Sequence, residues 1–153
     1  MAFRFEYVLV LFLLCAGCKM ETPGPNQTQQ YVDVIKKEVA PDKRVAVFNI
    51  TSDKEVENYI LRGETDQTKG LEALLDSLTS NNIPFIDSVS VLPSTKLGKK
   101  NRAFITISVA NLRSQPKHSA ELATQATLGT PVKLLKQDGG WYYVQTPDNY
   151  LSW

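Results

Sequence analysis

Cysteine and histidine are nearly absent from this chain: of its 153 residues two are cysteine, Cys15 and Cys18, and one is histidine, His118. A structural or catalytic zinc site needs three or four such ligands, and no second histidine or further cysteine stands near His118 to complete one. A nucleophilic catalyst is equally hard to assemble, because a serine or cysteine nucleophile needs a base and an orienting group, and His118, beside Lys117 in a polar stretch, has neither partner in sight. No catalytic residue, metal or cofactor is therefore expected, and pairs of carboxylates without a recognisable spacing do not replace them. Excess charge is also missing. Seventeen Lys and Arg against sixteen Asp and Glu give a net charge of +1, which provides no field to steer a polyanion and argues against nucleic acid as a partner. Lys96, Lys99, Lys100 and Arg102 do cluster, but around Gly98, as a solvated connection would.

The one long apolar run lies at the start. A single early cation, Arg4, precedes the run Val8 to Leu14, and the small residues Ala16 and Gly17 precede Cys18. This is the layout of a secretory signal, too short to span a bilayer as a mature helix. The stretch LCAGCK resembles a bacterial lipobox, although Cys15 stands where leucine is commonest, Leu14 lies one place further back, and Glu6 adds an acidic residue to the charged region. The resemblance implies that residues 1–17 are removed and that Cys18 becomes a lipidated N-terminus. The mature chain would then have neither a disulfide nor a free thiol, and the acyl chains, at about 0.8 kcal/mol per buried methylene, would hold it on a membrane. The expected location is the cell envelope, periplasm or cell surface, with an ordinary cleaved signal or a transmembrane anchor as the alternative.

From residue 18 to residue 29 the sequence is polar and carries Pro23, Gly24 and Pro25, so it reads as a lipidated tether. Residues 30–94 read as a small α+β domain. Tyr31, Val34, Ile35 and Val39 recur at helical spacing and stop at Pro41. RVAVFNI and VENYILRGE, separated by the turn SDKE, suggest a hairpin. Thr65 or Asp66 then offers a cap for a second helix with the stripe Leu71, Leu74, Leu75 and Leu78, ending at Asn81 and Asn82. Phe85 to Leu92 reads as a third strand, ended by Pro93. The order helix, strand, strand, helix, strand predicts two helices on one face of a small antiparallel or mixed sheet. In topology it resembles the BON-like modules of envelope proteins, which are thought to bind lipid or other envelope components.

The charged stretch 96–102 separates this unit from residues 103–153, which read as all-β. Phe104 to Val109, Pro131 to Leu135, Trp141 to Gln145 and Tyr150 to Trp153 are short apolar runs divided by turn chemistry such as Gly139-Gly140 and Pro147-Asp148-Asn149. Such spacing suggests a small barrel with Leu112 and Val132 facing inward, Gly129 and Gly140 in tight turns, and Trp141 as its anchor. Trp141, Tyr142 and Tyr143 alternate in facing, so at least one aromatic should point outward.

The run ANLRSQP, the strands LGTPVKLL and GGWYYVQ, and the closing YLSW together resemble a bacterial SH3 domain, an SH3-like barrel. More narrowly, NLRSQPKHSAELATQ resembles the SH3 domain that precedes the catalytic domain of NlpC-type cysteine peptidases, the γ-D-glutamyl-diamino acid endopeptidases of the cell wall, and the α+β segment resembles their N-terminal region. In that family the SH3 domain walls the active-site cleft and helps recognise the free amino end of L-Ala-γ-D-Glu-diamino acid peptides. By resemblance Glu121 would supply a partly buried carboxylate to the ammonium group and Tyr150 a hydroxyl; His118, a lone loop histidine beside Lys117, reads as solvent-exposed or fixed by packing at the cleft edge, and is kept as a cleft residue. An ammonium offers three donors and needs acceptors of this kind. The family usually shows glycine where this chain has Asn149 and Ser152. The family's peptidase domain carries a cysteine and histidine pair, and no residues follow Trp153, so the expected partner is a peptidase domain that is missing or separate. The expectation is a non-enzymatic peptidoglycan stem-peptide recognition module. Its alternative is an envelope adaptor that binds protein or lipid partners through the same fold.

Overall fold

The computed structural model describes residues 25–153. The expected signal segment 1–17 and the lipidation site Cys18 lie outside the described residues, as does the expected tether up to residue 24.

Helix α1, Pro25–Val39, begins within the stretch expected to be tether. Proline suits the first helical position, where its missing N–H would have no intrahelical acceptor anyway. The buried stripe is Thr28, Val32, Ile35 and Val39, while Val34 is 62% exposed. Tyr31, Ile35 and Val39 of the expected stripe do pack against the core, whereas Val34 faces out and the fully buried positions are Thr28 and Val32. Gln29 Oε1 accepts a 3.0 Å hydrogen bond from the Ser52 N–H and ties the helix to the sheet.

Strands β1, Phe48–Glu55, and β2, Asn58–Thr65, form the expected hairpin, although SDKE lies within β1 and the turn is Val56-Glu57; β3, Phe85–Val91, pairs parallel to β2, giving a mixed sheet in the order β1-β2-β3. A parallel pair needs a crossover, and α2, Thr68–Ser80, provides it. Phe48, Ile50, Tyr59 and Leu61 turn one sheet face to Val32 of α1 and to Leu71, Leu74 and Leu78 of α2. Asn49, Thr51, Asp53 and Arg62 leave the other face polar, with Arg62 paired to Glu55 at 2.6 Å. This one-sided burial follows from the alternation of apolar and polar residues along each strand. Two glycines are dictated by contact. At Gly63, φ is +126° and a Cβ would lie 1.9 Å from Asn49 O; at Gly70 it would lie 2.7 Å from Val39 Cγ2, where α2 crosses α1.

Neither Thr65 nor Asp66 caps α2, contrary to the sequence expectation; the cap position is Gln67, without a side-chain bond. Their side chains instead close the sheet edge. Thr65 Oγ1 donates to Val47 O at 2.8 Å, and Asp66 Oδ1 accepts from the Val47 N–H at 2.8 Å. The strand expected from Arg44 starts only at Phe48, because Asp42 wins the competition for the backbone. Its Oδ1 accepts from the Arg44 N–H at 2.9 Å, and its carbonyl accepts from Val45 and Ala46, forming a turn at residues 43–45.

After a single 3-10 turn, Thr95–Leu97, come β4, Arg102–Phe104; β5, Val109–Arg113; β6, Leu122–Thr127; β7, Pro131–Asp138; β8, Trp141–Gln145; and β9, Leu151–Ser152. The single strand expected over 104–109 is therefore two, separated where Ile105 N–H donates to Thr130 O and Gly129 N–H to Ile105 O. Strand β6 was not expected at all; its sequence LATQAT buries only Ala126 and lacks an apolar run. The strands form one sheet, β4-β7-β8-β9, and one ribbon, β5-β6. The predicted closed barrel thus takes the form of two packed layers with Leu112 and Ala126 of the ribbon against Val132, Leu134 and Val144 of the sheet. Reciprocal bonds between Arg113 and Trp153, at 2.7 and 2.8 Å, bring their margins together. Trp141 is not the core anchor; it is half-buried, and Tyr142 is the outward aromatic at 42% exposure. The Gly139-Gly140 turn has its positive φ, 54°, at the first glycine.

The two units share a third core. Val47 and Leu92 from the first pack with Leu135 and Leu151 from the second, beside half-buried Tyr143. Lys136 Nζ reaches Glu64 at 2.6 and 2.8 Å across the same junction and lies over the rings of Tyr143 and Trp153 at 5.4 and 5.3 Å. Among the described residues no helix is long and apolar enough to cross a membrane.

Candidate functional site

Against this junction lies a cavity of about 440 Å³ whose wall comes from both units. Glu121, Ser114, Leu122 and Ala123 supply one side, Tyr143, Tyr150 and Leu151 the floor, and Lys43 and Arg44 the side contributed by the α+β unit.

Glu121 stands where the loop 114–120 returns to β6. The loop is held at its base by Ser114 N–H donating to Glu121 O at 2.9 Å and by Arg113 Nη1 donating to Ala120 O at 2.7 Å, with Ala120 buried. This fixes the backbone of Glu121 while its carboxylate stays free of any hydrogen bond among the described residues. The side chain is exposed rather than partly buried. An exposed carboxylate is screened by water until a ligand covers it, so its attraction for a cation grows as the cavity fills.

Tyr150 is half-buried and set by the turn before it. Thr146 N–H donates to Tyr150 O at 3.0 Å, Asn149 N–H donates to Thr146 O at 2.9 Å, and Asn149 holds φ at 67°. That left-handed conformation is one that glycine and asparagine both accept, so Asn149 keeps the backbone a glycine would take there. The other departure, Ser152, is buried at 1% exposure.

Tyr143 has its phenol pushed up to about 12, first by burial and then by the charges of Glu64 and Asp66. It is therefore a neutral hydroxyl at physiological pH, able to donate as well as accept. Its ring lies 5.0 Å from that of Trp153.

The structure brings Glu121 and Tyr150 into one cavity but not His118. That residue is exposed, does not line the cavity, and sets its ring 5.0 Å from Trp141. It is thus exposed and at the same time set by a ring contact, and its imidazole is not among the groups that line the cavity.

Lys43 and Arg44 were missed by sequence reading, which placed Arg44 in a strand. The signal that marks them is Asp42-Lys43-Arg44, an acidic residue two places before a basic one. Arg44 Nε and Nη2 bind the Asp42 carboxylate at 2.7–3.1 Å, and this pairing holds Asp42 well below its usual range, at about 2. The Arg44 guanidinium lies 5.9 Å from the centre of the Tyr150 ring, and its backbone O accepts from the Leu151 N–H at 2.7 Å. The loop of the first unit is thus pinned to β9 at the residue next to Tyr150.

Residues 112–153 match the family of bacterial dipeptidyl-peptidase SH3 domains. The match covers Glu121, Tyr143 and Tyr150 and supports a bacterial SH3 domain, a non-catalytic binding module of peptidase-associated proteins, in the C-terminal unit. No curated protein matches the chain.

Proposed function

We propose that the chain is the cell-wall recognition module of an exported, lipid-anchored protein and acts as the non-catalytic half of an NlpC-type endopeptidase. Its cavity takes the free amino end of L-Ala-γ-D-Glu-diamino acid stem peptides. The observation that carries the reading is the convergence of Glu121 and Tyr150 on one cavity from separate segments of the SH3 domain. An N-terminal ammonium set between a carboxylate and a tyrosine hydroxyl finds charge and acceptors together, and a charge-assisted bond of this kind is worth about 1.5–3 kcal/mol. Hydrolysis falls to a separate peptidase domain. The anchor at Cys18 would keep the module at the membrane face of the wall.

The test is calorimetric titration of the chain with stem peptides bearing free and acetylated amino ends. Wild type should prefer the free amine by about tenfold, and Glu121→Gln should erase that preference. Equal affinity for the two peptides in wild type would sink the reading.

A second reading, an envelope adaptor, is favoured by one observation. Phe104, Ile107 and Leu128 are 67, 59 and 64% exposed, and the bonds between residues 105–108 and 128–130 gather them at one end of the SH3 domain. Exposed apolar residues grouped in this way commonly mark protein contacts.

A further inference from the structure

We infer that Lys43 and Arg44 form an anion-binding wall in the same cavity, so that the site reads a ligand with an ammonium group at one end and a carboxylate at the other. The inference rests on the stem-peptide reading and adds to it a specificity for the α-carboxylate of the D-Glu residue.

The cavity is polar in two senses. Glu121 is its carboxylate, from the SH3 loop; Lys43 and Arg44 are its cations, from the turn after α1. Lys43 is exposed and has no ion pair among the described residues. Arg44 commits Nε and Nη2 to Asp42, which leaves Nη1 without a hydrogen bond there. The backbone that carries the cations is also held in place. Leu151 N–H donates to Arg44 O at 2.7 Å, and Gln145 Nε2 donates to Val45 O at 3.3 Å, so the paired residues Gln145 of β8 and Leu151 of β9 both grip the turn. A turn whose backbone is fixed before the ligand arrives spends less ordering entropy on binding.

Ligand chemistry supplies the complement. A γ-linked glutamate has its side-chain carboxyl in the peptide chain, so its α-carboxylate is free. That carboxylate sits one residue from the alanine ammonium, roughly 6 Å away when extended. The carboxylate and both cations line the same cavity, of about 440 Å³, so one ligand carrying both charges can meet them together. An α-linked peptide would place its nearest free carboxylate on a longer and more flexible arm. Neutralising the α-carboxylate as a carboxamide removes the charge without changing the shape, and the site distinguishes the two.

The experiment titrates the full chain with three peptides: the free-amine α-carboxylate, the free-amine α-carboxamide and the N-acetyl α-carboxylate. Wild type should favour the carboxylate over the carboxamide by about fivefold at low salt, with the preference shrinking as salt is added. Lys43→Gln with Arg44→Gln should abolish that preference and keep the preference for the free amine. Lys43→Gln alone, which leaves the Asp42–Arg44 pair and its turn intact, should reduce it. Glu121→Gln should do the reverse, losing amine discrimination and keeping carboxylate discrimination. Equal binding of carboxylate and carboxamide while the free amine is still preferred would overturn the cationic wall and leave the stem-peptide reading standing. The same holds if the carboxylate preference survives in the double variant. Loss of amine discrimination in wild type would remove both.

Discussion

Asp42 sets how much of Arg44 is available. Its carboxylate is held down to about 2, from an ordinary 3.8, chiefly by hydrogen bonds from the Arg44 side chain and backbone. The folded value is depressed, so the contribution of this pair to the turn is complete above about pH 3.8 and is lost as pH falls through about 2. A carbon-detected titration of the Asp42 carboxyl should therefore show a midpoint near 2, and a midpoint near 3.8 would mean that the pair is open in solution. Asp42→Asn removes the competing charge and should widen the preference for carboxylate over carboxamide peptides. Tyr143 provides the opposite case. Its value is raised from 10.0 to about 12, so its contribution to stability is complete below pH 10 and is lost as the solution rises toward 12. Ultraviolet titration should show a late tyrosine ionisation with its midpoint near 12, absent in Tyr143→Phe. At Gly63 the argument is steric: a Cβ at 1.9 Å from Asn49 O on a backbone with φ of +126° cannot be relieved by a side-chain rotation. Gly63→Ala should cost more than about 1 kcal/mol in urea unfolding, and a neutral result would show that β1 and β2 separate there at little cost.

At the level of elements, the sequence made the α-β-β-α-β order legible because each helix and strand carries its own apolar period. Leu71, Leu74 and Leu78 fall on one face of α2 whatever lies beneath them. On α1 the core-facing Tyr31, Ile35 and Val39 were legible, but the start of the helix was not, since Thr28 is buried in a position where periodicity looks for an apolar residue. Nor was β6, because Leu122 to Thr127 is held by pairing with β5 and presents few side chains to the core. The site divided in the same way. Glu121 and Tyr150 were reachable through resemblance to a known SH3 pattern, whereas Lys43 and Arg44 belong to the other unit. Only the fold brings them within reach of the cavity. The link between units is itself testable through Lys136 and Glu64, which are about three-quarters buried, with side-chain exposures of 27 and 26%. A double-mutant cycle with Lys136→Met and Glu64→Gln should give a coupling of about 1 kcal/mol. A coupling near zero would assign the contact to the rings of Tyr143 and Trp153, over which the Lys136 ammonium lies.

For the whole molecule the question is whether two units with separate sheets behave as one. Each has a core of its own, yet Leu135, wholly buried, packs in a cluster with Val47 and Leu92 from the first unit and Leu151 from the second. Ser94 N–H donates to Leu135 O at 2.7 Å, and Leu92 N–H to Thr65 O at 2.7 Å, so the chain leaving β3 is bonded to both sides of the junction. Separating the units would open this cluster to water and break the Lys136–Glu64 pair, the Arg44–Leu151 bond and the cavity together. Unfolding should accordingly be a single transition, with helix signal and tryptophan fluorescence changing at the same urea concentration. Leu135→Ala, which removes buried atoms and leaves a cavity at the junction, should lower stability by about 2–5 kcal/mol. Because the lost contacts serve both units, amide exchange should quicken in α2 and in β8 alike. Two separated transitions in wild type, or exchange that quickens only in the SH3 domain of the variant, would mean that the junction is a contact between independent bodies. The cavity would then form only in the fraction of molecules where they are docked, and the apparent affinity for any ligand that touches both Glu121 and Lys43 would fall by that fraction.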